Sequence, residues 1–274
     1  MDVLLLTEPK HPPRTGPASA RYEAGRGNLL AEALLDAGHQ PVMWWDHPLG
    51  PMVEADPSVV LLRSGAPIQL DRAERLALAG LAVVNDPAAH RRAQDKLDQA
   101  AAFLRAGVPH PATAGIGEGV DLAASTSLVA KPRRGSSGDQ VRLVSGQEAR
   151  DALSAGDLVQ ERVVDAVEYR VTVVGGVAVA WARKILAEGE FRANLDRGAR
   201  MVATERPEGD AASVACAAVE ALGLDIGGVD LMVTRSGPVV LEVNAATTLH
   251  GADAGSTSEI LRAVVALCAA AGGR

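Results

Sequence analysis

The sequence predicts an α/β chain, α+β overall, that opens with a parallel βαβ region and continues in hairpin-linked strands. Three observations carry that prediction. The first 85 residues alternate apolar strand runs with a helical pattern, the order that builds a small parallel sheet. Gly175-Gly176 separates two long β-rich runs at 168–174 and 177–185, as a two-residue hairpin turn does. Two further β-rich runs, 227–233 and 239–244, flank the polar connection Arg235-Ser-Gly-Pro238, which reads as a second hairpin.

In chain order, Val3–Leu6 is an apolar first strand, and 28–37 has helical spacing ended by Gly38 as C-cap. Segment 8–27, rich in Pro, Gly and Arg, has no period and reads as a long loop. Strand patterns follow at 41–45, 58–62 and 81–84. Asn85-Asp86-Pro87 closes this region. One long helical pattern then covers 88–106 and stops at Gly107, with Pro109 and Pro111 beyond it. Strands are expected at 127–131, 140–144 and 157–161, with a helix near 146–154. After the Gly-Gly hairpin come a helix at 208–222, the second hairpin and a final helix at 256–271. The expected division is 1–86, 87–164 and 165–274.

The bulk properties exclude several classes. A formal charge of −7 argues against a nucleic-acid surface built on phosphate neutralisation. No apolar run reaches eighteen residues, so no membrane partner is expected. The N-terminus reads as a strand and not a secretion signal. Cys216 and Cys268 sit in apolar helical runs and read as buried free thiols, which fits a reducing cytoplasm.

The second hairpin carries the chemistry. Asp230, Glu242 and Asn244 interrupt its apolar runs. Glu242 and Asn244 are two apart and share a strand face. Asp230 joins that face only if it pairs with 242 or 244, which needs an odd-numbered connection. Three hard oxygen donors on one face suit Mg²⁺, which completes its shell with water and phosphate oxygens. An ordinary solvated strand face would carry the same residues.

Of the 27 basic residues only four are lysine: Lys10, Lys96, Lys131 and Lys184. A chain that otherwise chooses arginine keeps these ammonium groups for a reason, because a compact point charge can meet a single phosphate oxygen. Lys131 ends a strand just before Arg133-Arg134-Gly135-Ser136-Ser137-Gly138, whose small residues let backbone amides wrap an anion. The spacing is not that of a P-loop. Next, Val159-Gln160-Glu161 leads into a segment, through Val164, whose backbone can read a base edge. Glu168 is placed to take ribose hydroxyls; an exposed strand end with a salt bridge is the plain alternative.

In order, Asn85-Asp86-Pro87, Asp95-Lys96-Leu97, Gly107-Val-Pro, Val129-Ala-Lys-Pro, the Gly/Ser loop, Val159-Gln-Glu, Glu168-Tyr-Arg170, Phe191-Arg-Ala-Asn194, Gly228-Val-Asp230 and Leu241-Glu-Val-Asn244 resemble the ATP-grasp superfamily. The nearest branch is that of ribosomal S6 modification and amino-adipate carrier ligases. The match runs over roughly 81–244. It implies an ATP-grasp fold of three subdomains, with ATP between two antiparallel-rich sheets. It also implies a carboxylate–amine ligase that works through an acyl phosphate.

By that resemblance Lys96 and Lys131 hold the α- and β-phosphates. Ser136 and Ser137 cover the phosphates from the lid. Gln160, Glu161 and the backbone of Val164 face adenine, and Glu168 faces ribose. Asp230, Glu242 and Asn244 ligate two Mg²⁺, with Mn²⁺ an alternative.

Arg192 is proposed to stabilise the acyl phosphate and oxyanion, Arg170 to position a carboxylate, and Asn194 to bind metal-bridged phosphate or the acyl group. One of Arg183 and Lys184 reaches the phosphates, and adjacency on a strand does not say which. Arg133 and Arg134 either close over phosphate or solvate a loop. Arg197 is a weaker candidate, His250 a candidate amine base. Trp44, Trp45 and Trp181 read as core or pocket wall.

After Asn244 the chain departs from the family, running Ala245-Ala-Thr-Thr-Leu-His-Gly in place of a small residue and Pro-Gly, so a relative's substrate does not transfer. Expected partners are a small-molecule carboxylate and amine, or a peptide or carrier-protein terminus; a homo-oligomer is compatible. A phosphotransferase is the competing reading, because the same grip can deliver phosphate to a hydroxyl.

Overall fold

Three sheets organise the chain in a computed structural model that describes residues 1–6, 29–44, 58–115, 127–135, 140–193 and 198–273. The loop expected at 8–27 and Trp45 lie outside these residues. The N-terminal sheet is parallel, in the order β2-β1-β3-β4, from β1 (Asp2–Leu6), β2 (Gln40–Trp44), β3 (Val59–Leu62) and β4 (Val83–Val84). Helix α1 (29–36) links β1 and β2, and α2 (Pro67–Leu78) links β3 and β4. β1 and β3 are buried on both faces, as their unbroken Val/Leu runs require in a covered parallel sheet.

The expected single helix at 88–106 is two: α3 (Pro87–Ala93) and α4 (Lys96–Ala106). The break has a local cause. Asp95 adopts extended backbone, and its carboxylate accepts from the Leu97 and Asp98 amides, so it caps a new helix that starts at Lys96. No glycine or proline marks the break, so a helical pattern reads through it in the sequence. Gly107, at φ +68°, ends α4 in the left-handed conformation that glycine takes without a Cβ penalty.

The central sheet is antiparallel, in the order β5-β8-β6-β7, from β5 (Thr113–Ala114), β6 (Leu128–Pro132), β7 (Arg142–Val144) and β8 (Asp157–Glu161). Leu128, Ala130, Val144 and Val159 pack on α5 (Gly146–Ser154) through Ala149 and Ala152. The C-terminal sheet runs β11-β10-β9-β12-β13, from β9 (Val167–Val174), β10 (Val177–Ile185), β11 (Arg200–Ala203), β12 (Ile226–Thr234) and β13 (Gly237–Asn244). Its inner face, with Val171, Val173, Trp181, Val229, Leu231 and Val243, packs on α6 (Ala211–Ala221) and on Phe103 of α4. The short strands β5 and β11 went unanticipated because two and four residues give too little alternation to read.

α7 (Ala254–Gly272) is the one helix among the described residues long and apolar enough to cross a membrane. Its Ile260, Leu261, Val264 and Cys268 pack instead against Val3, Leu5, Val59 and Leu61 of the N-terminal sheet. Both cysteines are free thiols, and burial pushes Cys268 up to about 12. Trp181 is a core residue, edge-on to Tyr169.

Candidate active site

Strand alternation sorts the C-terminal sheet into a core face and a polar face. In β9, Tyr169, Val171 and Val173 point to α6, which leaves Glu168, Arg170 and Thr172 opposite. Register places Ala182 beside Arg170, and Asp230 beside Arg170 on the other side, so Lys184 and Asp230 share the polar face. That settles the pair left open in the sequence: Lys184 enters the site, and Arg183 is exposed on the other face.

The hairpin meets the register condition by a different route from the expected one. The connection is only Arg235-Ser236, an even number, with Thr234 paired to Gly237 and Leu231 to Val240. Alone, that register would set Asp230 opposite Leu241. A β-bulge between Asp230 and Leu231 shifts it by one, so Asp230 pairs with Glu242 and Gly228 with Asn244. The Asn244 amide donates to Glu242 Oε1 at 3.3 Å. The three oxygen-bearing side chains therefore share one face.

Asp230 is buried and sits in an ionic cluster. Lys184 Nζ lies 2.7 Å and Arg170 Nε 3.2 Å from Asp230 Oδ1, neither along a good hydrogen-bond direction. Lys184 also donates to Glu168 at 2.7 Å. Burial works to raise the Asp230 carboxyl, but Arg170 and Lys184 outweigh it and hold it below the usual range. Burial raises Glu168, opposed by Lys184. Burial also works to lower Lys184, and the two carboxylates carry it the other way. Arg170 was expected to hold a carboxylate substrate; its guanidinium instead binds Asp230 and donates to Gly228 O at 3.1 Å.

Facing this cluster, β6 turns Leu128 and Ala130 to α5 and Lys131 to the cleft. Lys131 Nζ donates to Gln160 Oε1 at 2.9 Å, and the Gln160 amide donates to Thr113 Oγ1 at 2.9 Å, which fixes its orientation. Burial pulls the Lys131 ammonium below its usual range, with Glu242 across the cleft pulling the other way. Lys96, the first residue of α4, donates to Gly135 O at 2.7 Å.

Arg133 and Arg134 do not reach into the cleft. Arg133 Nε meets both Asp95 oxygens at 2.7 Å and Arg134 Nε meets one at 3.2 Å, so both tie the lid stem to the α4 cap. The lid residues Ser136 and Ser137, together with Asn194 and Arg197, lie outside the described residues.

Between the two sheets is a cavity of about 670 Å³. Lys96, Lys131, Glu168, Lys184, Asp230 and Glu242 line its charged end. Gln160, Glu161, Val164, Met232 and Leu241 line the other walls, the half-apolar surface a base and ribose require. Arg192 is in the wall, held by Glu190 at 2.6 and 2.8 Å and donating to Val141 O at 3.3 Å. Arg192 hydrogen bonds depress the half-buried Glu190 carboxyl to about 2. Two guanidinium groups lie over the Phe191 ring, Arg162 at 5.7 Å and Arg192 at 5.3 Å from its centroid. Glu190 was not foreseen as the partner of Arg192, since only the fold of its loop turns an i, i+2 pair into a clamp. The His250 carbonyl accepts from Thr248 Oγ1 at 3.4 Å, and His250 is not in the cavity wall.

Among the described residues no three His, Cys, Asp or Glu side chains converge on a metal-sized point. The set is two carboxylates and an amide on one face, hard donors that fit Mg²⁺ completed by phosphate and water.

A RimK-like ATP-grasp domain model matches residues 93–267. The chain belongs to the RimK-like ATP-grasp family. A probable alpha-L-glutamate ligase of Sodalis glossinidius is 34% identical over 200 residues, 67% of this chain and 67% of the relative. In fold, the chain is similar to ATP-grasp ligase PsnB complexed with minimal precursor, Mg and ADP, at TM-score 0.70, 20% identity and 97% of each chain. It is also similar to D-alanine–D-alanine ligase of Bacillus anthracis, at TM-score 0.73, 16% identity, 100% of this chain and 99% of that one. This RimK-like protein is an ATP-dependent carboxylate–amine ligase. The matches lend no support to the phosphotransferase alternative.

Proposed function

We propose that the chain activates a carboxylate as an acyl phosphate and passes the acyl group to an amine, releasing ADP and phosphate. The observation that carries this reading is the cavity's charged end, where the Lys96 and Lys131 ammonium groups face, across the gap, a sheet surface that carries Glu168, Lys184, Asp230 and Glu242. Two anionic partners, the triphosphate and the carboxylate, must approach one another there as the acyl phosphate forms. Fixed cations in a poorly solvated cleft offset that repulsion.

Lys96 and Lys131 hold phosphate oxygens. Gln160 and Thr113 keep the Lys131 ammonium aimed at the cleft. Glu161 and the Val164 backbone orient adenine, and Glu168, once shared between Lys184 and ligand, orients ribose. Asp230, Glu242 and Asn244 would hold Mg²⁺, two ions in this reading, and the metal would neutralise phosphate charge when bound. Arg192, released from Glu190, meets the acyl phosphate, and Arg170 keeps Asp230 ionised and in place. Neither thiol is needed as a nucleophile, which suits a Cys268 buried in α7 and a Cys216 only partly buried in α6, where both were expected to be buried.

The carboxylate is that of a small amino acid, a peptide or a carrier-protein terminus. The test is ADP release against a matrix of carboxylates and amines, with mass spectrometry of the products. Amine-dependent ADP release with an amide product is expected. Phosphate transfer to an alcohol with no amine requirement would contradict it.

A further inference from the structure

Helix α4 carries Lys96 at its first position and Gln99 one turn later. Gln99 is buried, and its side chain reaches the outer edge of β13. Its Oε1 accepts from Val243 N at 2.8 Å, and its Nε2 donates to Val243 O at 3.1 Å and to Ala93 O at 2.7 Å. Val243 stands between Glu242 and Asn244. A second tie lies on the other side of the bulge, where Val240 N donates to Pro109 O at 2.8 Å. These two outward amides are three residues apart, whereas a regular strand turns every second amide to the same edge. Leu241, the residue the bulge adds, falls between them.

We propose that Gln99 is a positioning residue that locks the register of β13 and so holds the metal-ligand set together. A one-residue slip moves every side chain to the opposite face. Here a slip that absorbed the bulge would set Asp230 opposite Leu241 and turn Glu242 toward α6. The bulge disrupts the ladder where the site needs it, so the β12 pairing alone holds it weakly. The Gln99 amide acts as one residue of an extra strand, meeting both polar groups of Val243. Losing it leaves a buried N–H and C=O without partners, which disfavours this register. The same helix turn fixes the separation between Lys96 and the hairpin. The inference rests on the reading of Asp230, Glu242 and Asn244 as metal ligands.

Gln99→Met keeps the length of the side chain and removes both hydrogen-bonding ends. The measurement is Mn²⁺ binding to the full chain with ADP, by electron paramagnetic resonance, beside ADP binding without metal, by calorimetry. Mn²⁺ affinity is expected to fall about 10-fold or more, the range for residues that orient metal ligands, with metal-free ADP affinity near that of the wild type. Leu222→Ala, a fully buried change in the same core, should lower Tm yet leave Mn²⁺ affinity near wild type. Wild-type Mn²⁺ affinity in Gln99→Met overturns the proposal, and so does an equal loss in Leu222→Ala.

Glu242→Ala separates this from the reading beneath it. If that variant binds Mn²⁺ as wild type does, the ligand assignment fails. If it loses Mn²⁺ while Gln99→Met does not, only the lock fails. Should Gln99→Met not fold, hydrogen exchange of the unmodified protein decides. The Val243 amide should exchange as slowly as the α4 amides of Ala102 and Phe103. Exchange as fast as at Arg235 and Ser236 overturns the lock.

Discussion

Replacing Asp95 separates two jobs that one buried carboxylate performs. It accepts from the Leu97 and Asp98 amides at 3.1 and 3.4 Å, which starts α4 at Lys96. It also takes Arg133 and Arg134 from the lid stem. Losing an N-cap costs about 1 kcal/mol. The two arginine side chains are 47% and 75% exposed, so they return to water when the carboxylate is removed, and their pairing adds only about 1 kcal/mol. Asp95→Ala should therefore lose about 2 kcal/mol, which for a chain of this size lowers Tm by about 4–8 °C. Asp95→Asn keeps an acceptor for the helix and loses the charge, so it should lose about half as much.

Calorimetry on Asp95→Ala, Asp95→Asn, Arg133→Gln and the Asp95→Asn/Arg133→Gln double variant measures each part. Equal loss in Asn and Ala would refute the cap, and strict additivity in the double variant would refute the pairing. The pH dependence has a definite sign. Burial works to raise the Asp95 carboxyl, and the Arg133 and Asp98 hydrogen bonds outweigh it, so its pKa is lowered on folding. That stabilisation is present above the unfolded carboxylate value of about 3.9 and is lost as pH falls through the lower folded value. Both variants should raise the KM for ATP, because the same helix start aims Lys96 and the lid stem.

Arg192→Ala should lower kcat by about 10²-fold or more while ATP affinity changes little, if the guanidinium meets charge that develops during the reaction; an unchanged kcat removes it from the chemistry. Carboxyl NMR should place Glu190 near 2 in the wild type and back toward about 4.3 in Arg192→Ala; an unmoved titration contradicts the clamp. In Gly228→Ala, the new Cβ would lie 2.1 Å from Thr247 Oγ1 and 2.8 Å from Arg170 Nη1. Overpacking there should cost about 1–3 kcal/mol and displace Arg170 from Asp230. A wild-type Tm with wild-type Mn²⁺ binding would show that the site yields freely.

Most of the long elements were legible because period and punctuation agreed, as at Gly107, Gly175-Gly176 and the Val/Leu runs of β1 and β3. The residues proposed as metal ligands, Asp230, Glu242 and Asn244, were legible because oxygens stand out in an apolar hairpin. What stayed hidden depends on register or on distant partners. The bulge at Leu241 has no local signature, yet it decides whether Asp230 faces Glu242. Lys184 and Arg183 are indistinguishable until β9 is laid beside β10. Asp95 was legible as part of a motif, but not as the break between α3 and α4, because its cap and its lid arginines lie on different elements. Gln99 looks like any polar residue in a helix, and only the packing of α4 against β13 shows its use.

In the acyl-phosphate route a carboxylate oxygen of the substrate becomes bonded to phosphorus before the amide forms. With the carboxylate and amine that the ADP-release matrix selects, and both carboxylate oxygens labelled with ¹⁸O, one labelled oxygen should appear in the released phosphate for each amide made. Unlabelled phosphate from a reaction that still yields amide would contradict the acyl-phosphate route.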